Sequence, residues 1–218
     1  MFVITADQVD SRSDVDRAQA MIATLTAGWG EHLVLPIDQT AGDEIQIITP
    51  SAEAALSLVL ELARSGRWSI GLGIGDVRRP LPDAARKATG GAFIAARAAV
   101  DAAKRADARF ALRTATVADS IGPDDVEPIL RMLLLIRARR TAQGWEVVDL
   151  VSEGRSQKEA AAILGISAAA VSMRLKTALW SVDEDARPAI VRLLREVDAA
   201  TSDSSDPTNA AHQREGQE

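Results

Sequence analysis

The densest chemistry in this chain lies between residues 155 and 176. Arg155, Gln157 and Lys158 open one short apolar-patterned segment, and Ser167, Ala168, Ala169, Ser172, Met173, Arg174 and Lys176 mark the next, with Glu159 as the one acid among them. Guanidinium, ammonium and amide donors of this kind neutralise phosphates and set register, while a protruding helix brings side chains to base edges. Residues 131–180 carry eight basic and four acidic groups in a chain whose net charge is −6, so positive charge is concentrated in this one stretch. A second set is anionic: Asp7 closes an apolar strand-like run, and Asp43 follows Gly42 at a hairpin tip. Paired carboxylates on neighbouring strands are the ligands that Mg²⁺ prefers, alongside phosphate oxygens; the same residue types also shape turns and strand ends. Arg97 has two readings, as a phosphate donor or as a helix arginine with a solvated head group. With no cysteine and only His32 and His212, thiolate catalysis, disulfides and cysteine- or histidine-built metal centres are excluded.

These groups need elements to hold them. FVITA reads as a buried strand, Ser13 to Leu25 as a helix, LVLPI (Leu33 to Ile37) and EIQIIT (Glu44 to Thr49) as two strands joined by DQTAGD, and WSIGLGIG (Trp68 to Gly75) as another strand. Between the last two, Ser51 caps a helix whose apolar face is Ala54, Ala55, Leu58, Val59 and Leu62. Strand, helix, strand, strand, helix, strand is the split ferredoxin-like order, an antiparallel sheet with helices on one face. Gly90 to Lys104 adds an alanine-rich helix and RFALRT (Arg109 to Thr114) a further strand. The fold class expected is therefore α/β (α+β), a ferredoxin-like sheet with helices, followed by an all-α helix-turn-helix domain.

Gly122-Pro123 halts regular structure, which sets the expected divisions at 1–122 for the sheet domain, 123–143 for a connecting helix, 144–200 for the helix-turn-helix and 201–218 for a disordered tail. VEPILRMLLLIRARR is apolar over more than one face and must be buried against two partners; Arg137, Arg139 and Arg140 at its end either reach phosphates or favour the negative helix terminus. Ala161, Gly165, Ile166, Val171 and Leu175 meet the steric demands of two steeply crossed helices. Pro188 to Val197 is amphipathic and reads as available for dimer contacts. The opening MFVITADQVD lacks a basic start and long apolar run, and no run approaches the roughly 18 apolar residues of a membrane span, so a cytoplasmic protein without a membrane partner is expected.

ADQVDSR, TAGDEIQIIT, IGLGIGDV and GGAFIAAR occur in the order seen in class III nucleotidyl cyclases, and the N-terminal half resembles that catalytic domain. The resemblance implies that Asp7 and Asp43 bind metal and that Arg97 faces phosphate, with Mg²⁺ or a nucleotide as candidate ligand. Gln39 stands where cyclases carry a base-recognising lysine, and Phe93 and Ile94 stand where they carry an asparagine, so the catalytic set is degenerate. SQKEAAAILGISAAAVSMRLKTALW resembles the helix-turn-helix of sigma-factor region four, and residues 1–180 as a whole are similar to the SatD family.

The expectation is a homodimeric, non-enzymatic transcriptional regulator that binds double-stranded DNA, its cyclase-like domain serving dimerisation or sensing of a nucleotide. The alternatives are an active, divergent Mg²⁺-dependent cyclase with an appended helix-turn-helix, and an adaptor that contacts RNA polymerase.

Overall fold

The computed structural model describes residues 1–10, 17–40, 42–117 and 120–204. β1 (Phe2–Gln8) is the central strand of a five-stranded sheet. It pairs antiparallel with β3 (Glu44–Thr49) on one side and with β4 (Trp68–Ile74) on the other. A two-residue β2 (Asp38–Gln39) borders β3, and β5 (Phe110–Thr114) runs parallel to β4 at the opposite edge, giving the order β2-β3-β1-β4-β5. The first four strands thus take the ferredoxin-like order, and the fifth makes the sheet mixed.

Alternation along β1 sends Phe2, Ile4 and Ala6 into the main core and Val3 to the other face. The main core is covered by α1 (Ala18–Trp29) and α2 (Ala52–Arg64). Ser51 caps α2 by accepting the Ala54 N–H at 3.2 Å, and Ala54, Ala55, Leu58, Val59 and Leu62 are buried as the spacing predicts. Two further helices close this core: α4 (Pro123–Ala138) through Val126, Leu130, Leu133 and Leu134, and the long α8 (Trp180–Asp203) through Ile190, Val191, Leu194 and Val197.

The opposite face carries α3 (Gly91–Ala103), so helices lie on both faces of the sheet and not on one. Its approach is set by β4. A Cβ placed on Gly71 would come within 2.2 Å of the Val100 backbone nitrogen, and one on Gly73 within 2.2 Å of the Ala92 carbonyl oxygen. The Gly-x-Gly pattern of β4 and the small buried face Ala92, Ala95, Ala96, Ala99 and Ala103 of α3 are two halves of one contact in which helix backbone rests on sheet backbone.

Several expectations are corrected. Leu33 to Ile37 is not a strand: Pro36 has no N–H to give a ladder, and the one backbone bond into the sheet is from Val34 to the Ile48 carbonyl. The expected first helix begins at Ala18, and its residues 13–16 lie outside the described ones. The apolar face of Pro188 to Val197 is spent inside the chain and not available to a dimer, because α8 begins eight residues earlier and lays that face on the core. Residues 201–203 are not tail but the last turn of α8; Thr201 is buried and its carbonyl accepts the Thr116 hydroxyl at 3.0 Å. The remainder, from 205 on, lies outside the described residues. α4 buries one face, and a second stays exposed at Ile129, Met132 and Leu135. Among the described residues no single helix is long and apolar enough to cross a membrane.

Gly73→Ala is expected to destabilise the chain by about 3 kcal/mol, the upper range for overpacking, because backbone and not a flexible side chain must move. Gly28→Ala, on an exposed part of α1 with nothing near the added methyl, is expected to stabilise by about 0.5–1 kcal/mol. Urea unfolding of the two variants checks both signs.

Candidate nucleic-acid interface

Three short helices lie between α4 and α8 in the chain and share a small core of their own. Thr141 caps α5 (Ala142–Ser152) by accepting the Gly144 N–H at 3.1 Å, and Gly154, at φ +86°, turns the chain toward Ser156. Ser156 and Glu159 form a reciprocal capping box at the start of α6 (Gln157–Leu164): Glu159 N–H donates to the Ser156 hydroxyl at 3.2 Å, and Ser156 N–H donates to the Glu159 carboxylate at 2.8 Å. The Ser156 hydroxyl and N–H together hold the Glu159 carboxyl below the usual carboxylate range. Gly165 takes the left-handed conformation at φ +65°, and Ser167 caps α7 (Ala168–Thr177) through the Ala170 N–H at 3.1 Å.

The bend between α6 and α7 is 105°. Val147, Val148, Ala160, Ala161, Val171, Leu175 and Ala178 fill the space the three helices enclose, with Ile166 packed against them. Ala161, expected to be the small residue of the crossing, is buried in this cluster together with Ala160.

That packing leaves the other side of α7 in solvent. Ser167, Ala168, Ala169, Ser172, Met173 and Lys176 are exposed, Met173 at 63%. Arg155, Gln157 and Lys158 are exposed around the start of α6. Arg174 differs from the expectation: its guanidinium lies 3.3 Å from the Glu146 carboxylate, so it ties α7 to α5 and is not a free donor beside Lys176. Arg139 is exposed and lines a groove of about 170 Å³ between the start of α5 and Met173 of α7.

The other two arginines of that basic run face inward. Arg137 and Arg140 are buried and lie 2.5 and 2.7 Å from Asp183, whose side chain is fully inaccessible. Arg187 adds a third guanidinium at 3.0 Å from the same carboxylate, and Arg140 also donates to the Ala178 carbonyl at 2.8 Å. The ring of Trp145, on α5, has the guanidiniums of Arg64, Arg137 and Arg140 over it at 4.3, 5.0 and 4.8 Å. Arg64, on α2, also pairs with Asp149 of α5 at 2.6 Å. Side chains of α2, α4 and α8 therefore clamp the three-helix unit to the sheet. Burial pushes the Asp183 carboxyl up, but the Arg187 hydrogen bond and the Arg137 charge outweigh it, and the group sits below its ordinary value. Sequence reading missed Asp183, Trp145 and Arg187, since an acid beside a solvated helix face carries no mark of burial.

The acidic set gathers at one end of the sheet. Asp7 stands opposite Glu44 in the β1–β3 register, and the Asp43 carbonyl accepts the Gln8 N–H at 3.2 Å. Asp7 is 2.6 Å from the ammonium of Lys104, the residue that caps the end of α3, a hydrogen bond that raises the lysine's pKa. Arg97 pairs with Glu44, which supplies the anion that the resemblance assigned to phosphate. Gln39 donates to the Gly42 carbonyl at 2.5 Å, fastening the hairpin, while Phe93 packs into the second core and Ile94 is 75% exposed. Among the described residues no group of three or more histidine, cysteine or acidic side chains could hold a metal ion.

Asp183→Asn leaves three guanidiniums around an uncharged amide, and is expected to cost about 3–5 kcal/mol at pH 7, the range for breaking a buried pair. Asp149→Asn, in a pair that is 33% and 41% exposed, is expected to cost less than about 1 kcal/mol. Because the Asp183 carboxyl is depressed in the folded chain, the unfolded chain takes up its proton first as pH falls. Its stabilisation is therefore complete above about pH 4 and lost below it. Urea titrations at pH 7 and pH 3.5 should show a gap between wild type and Asp183→Asn that narrows in acid; equal stabilities at pH 7 would refute the clamp.

Comparison with family models, with curated proteins and with solved structures yields no match.

Proposed function

We propose that the chain is a homodimeric DNA-binding regulator of transcription, with α7 as the helix that enters the major groove of duplex DNA. One observation carries the reading: α6 and α7 cross at 105° over a left-handed glycine, with the face of Ala168, Ala169, Ser172, Met173 and Lys176 turned out to solvent. A structural hairpin has no need of an uncovered outer face bordered by Arg155 and Lys158, both exposed.

The chemistry of that face predicts its mode of recognition. Ala168 and Ala169 offer only apolar contact, suited to thymine methyls, and Ser172 and Lys176 carry the donors for base edges. Arg155, Lys158 and the α6 N-terminus, with Gln157, hold the phosphates that set register. A single unit of this size binds weakly alone, so a symmetric dimer reading an inverted repeat accompanies the proposal. The sheet, with the helices that close its main core, is then the scaffold for dimerisation or ligand sensing, and a nucleotide is its candidate ligand. Asp7 and Arg97, the residues a cyclase would apply to metal and phosphate, are each paired across the border between the sheet and α3, with Lys104 and Glu44, which favours the regulator over the enzyme.

Fluorescence polarisation against duplex DNA tests the reading. Arg155→Ala with Lys158→Ala should weaken binding uniformly across sequences and reduce the log–log salt slope by about 2, one unit per lost phosphate contact. An unchanged slope would overturn the assignment.

A further inference from the structure

α4 buries Val126, Leu130, Leu133 and Leu134 in the core, yet its outer side is apolar as well: Ile129 is 38% exposed, Met132 59% and Leu135 42%. Residues 125, 128, 132, 135 and 139 recur at spacings of three and four, the period of a helix-pairing seam. Asp125 stands at one end of this seam and Arg139 at the other, both exposed. Arg139 has no acidic partner among the described residues, while the neighbouring Arg137 and Arg140 are consumed by Asp183. A cleft of about 430 Å³ opens along the same side, lined by Pro128, Met132, Leu135 and Ile136, with Asp107 at its rim. Side chains of a second helix would fit such a space.

We infer that this face of α4 is the contact between two copies of the chain, their helices antiparallel across a two-fold axis at Met132. Under that axis Met132 meets its own copy, Ile129 meets Leu135, Pro128 meets Ile136 and Asp125 meets Arg139. A parallel pairing would set Asp125 against Asp125 and Arg139 against Arg139. The charge pattern selects the antiparallel one, and the opposed helix dipoles favour it too. The surface is thus complementary to itself, which is the requirement of a two-fold contact, whereas a foreign partner would have to mirror the seam by coincidence. The inference deepens the regulator reading by naming the surface of its self-association, although its grounds lie wholly in α4.

The chain contains no cysteine, so Met132→Cys introduces its sole thiol on the axis. Under mild oxidation the variant should form a disulfide-linked dimer about a hundred-fold faster than Ile94→Cys on exposed α3, the ratio of a millimolar effective concentration to a free thiol at ten micromolar. Equal, slow cross-linking at both positions with a monomer mass in sedimentation would overturn the inference, whatever the DNA result. Asp125→Arg and Arg139→Asp should each sediment as monomers, and the double variant should regain the dimer. Asp125 also accepts the Gly122 N–H at 2.8 Å, so only this recovery separates a seam from a loosened helix start; a double variant that stays monomeric counts against the pairing. Polarisation on the cross-linked Met132→Cys protein keeps the two proposals apart: a linked dimer that fails to bind duplex rejects the regulator reading and leaves the seam standing.

Discussion

One buried carboxylate governs how the two halves of this protein meet. Asp183 lies in a fully inaccessible position with three guanidiniums on it: Arg137 of α4, Arg140 just beyond the end of α4, and Arg187 of α8 itself. Removing these charges from water costs several kcal/mol per ion, so the cluster holds only where donors and acceptor meet in good geometry. That demand fixes the angle between α4 and the start of α8. It also places Trp145 beneath Arg64, Arg137 and Arg140, so that α5 cannot turn independently of the sheet. Breaking such a cluster at one partner leaves buried charge uncompensated, so its members are mutually dependent. The direction in which α7 faces solvent follows from it.

The opposite face of the molecule obeys a different rule. There the sheet and α3 approach until backbone meets backbone, made possible by Gly71 and Gly73 on one side and by alanines on the other. Contacts of this kind leave no room for a bulky ligand between the layers. What polar chemistry exists at the border takes the form of ion pairs joining strand to helix, Asp7 to Lys104 and Glu44 to Arg97. At this border Asp7 and Arg97 are thus each satisfied by a neighbouring side chain.

Much of this was legible in the sequence, and the parts that were share a physical basis. Ser51, Ser156, Gly165 and Ser167 act on groups a few residues away, so local spacing reveals them, whereas Glu159 was read as an acid among cations and not as the partner of Ser156 in a capping box. The ferredoxin-like strand order followed from alternation and turn residues, although its second strand is Asp38–Gln39, in the segment read as a loop, and the exposed face of α7 followed from helical period. Partners distant in sequence were not legible. Asp183 meets Arg137 and Arg140 across 46 and 43 residues, and nothing local distinguishes it from its neighbours Glu184 and Asp185. The apolar stripe of α8 was read as a dimer surface because periodicity states that a face is buried and not against what. The glycines of β4 were read as a motif, while their role is to admit α3. Pro36 was placed in a strand by its apolar neighbours, although its missing N–H argues against one.

The central claim is that the outward face of α7 lies in the groove of duplex DNA, and it can be tested by delivering a cleavage reagent from that face. Ser172→Cys provides a unique thiol for an iron chelate, and duplexes enriched from a random pool provide the target. The account predicts backbone cleavage confined to one short stretch within each bound site, with none from a chelate on Ile94→Cys. Weak, uniform cleavage of equal strength from both positions would contradict it.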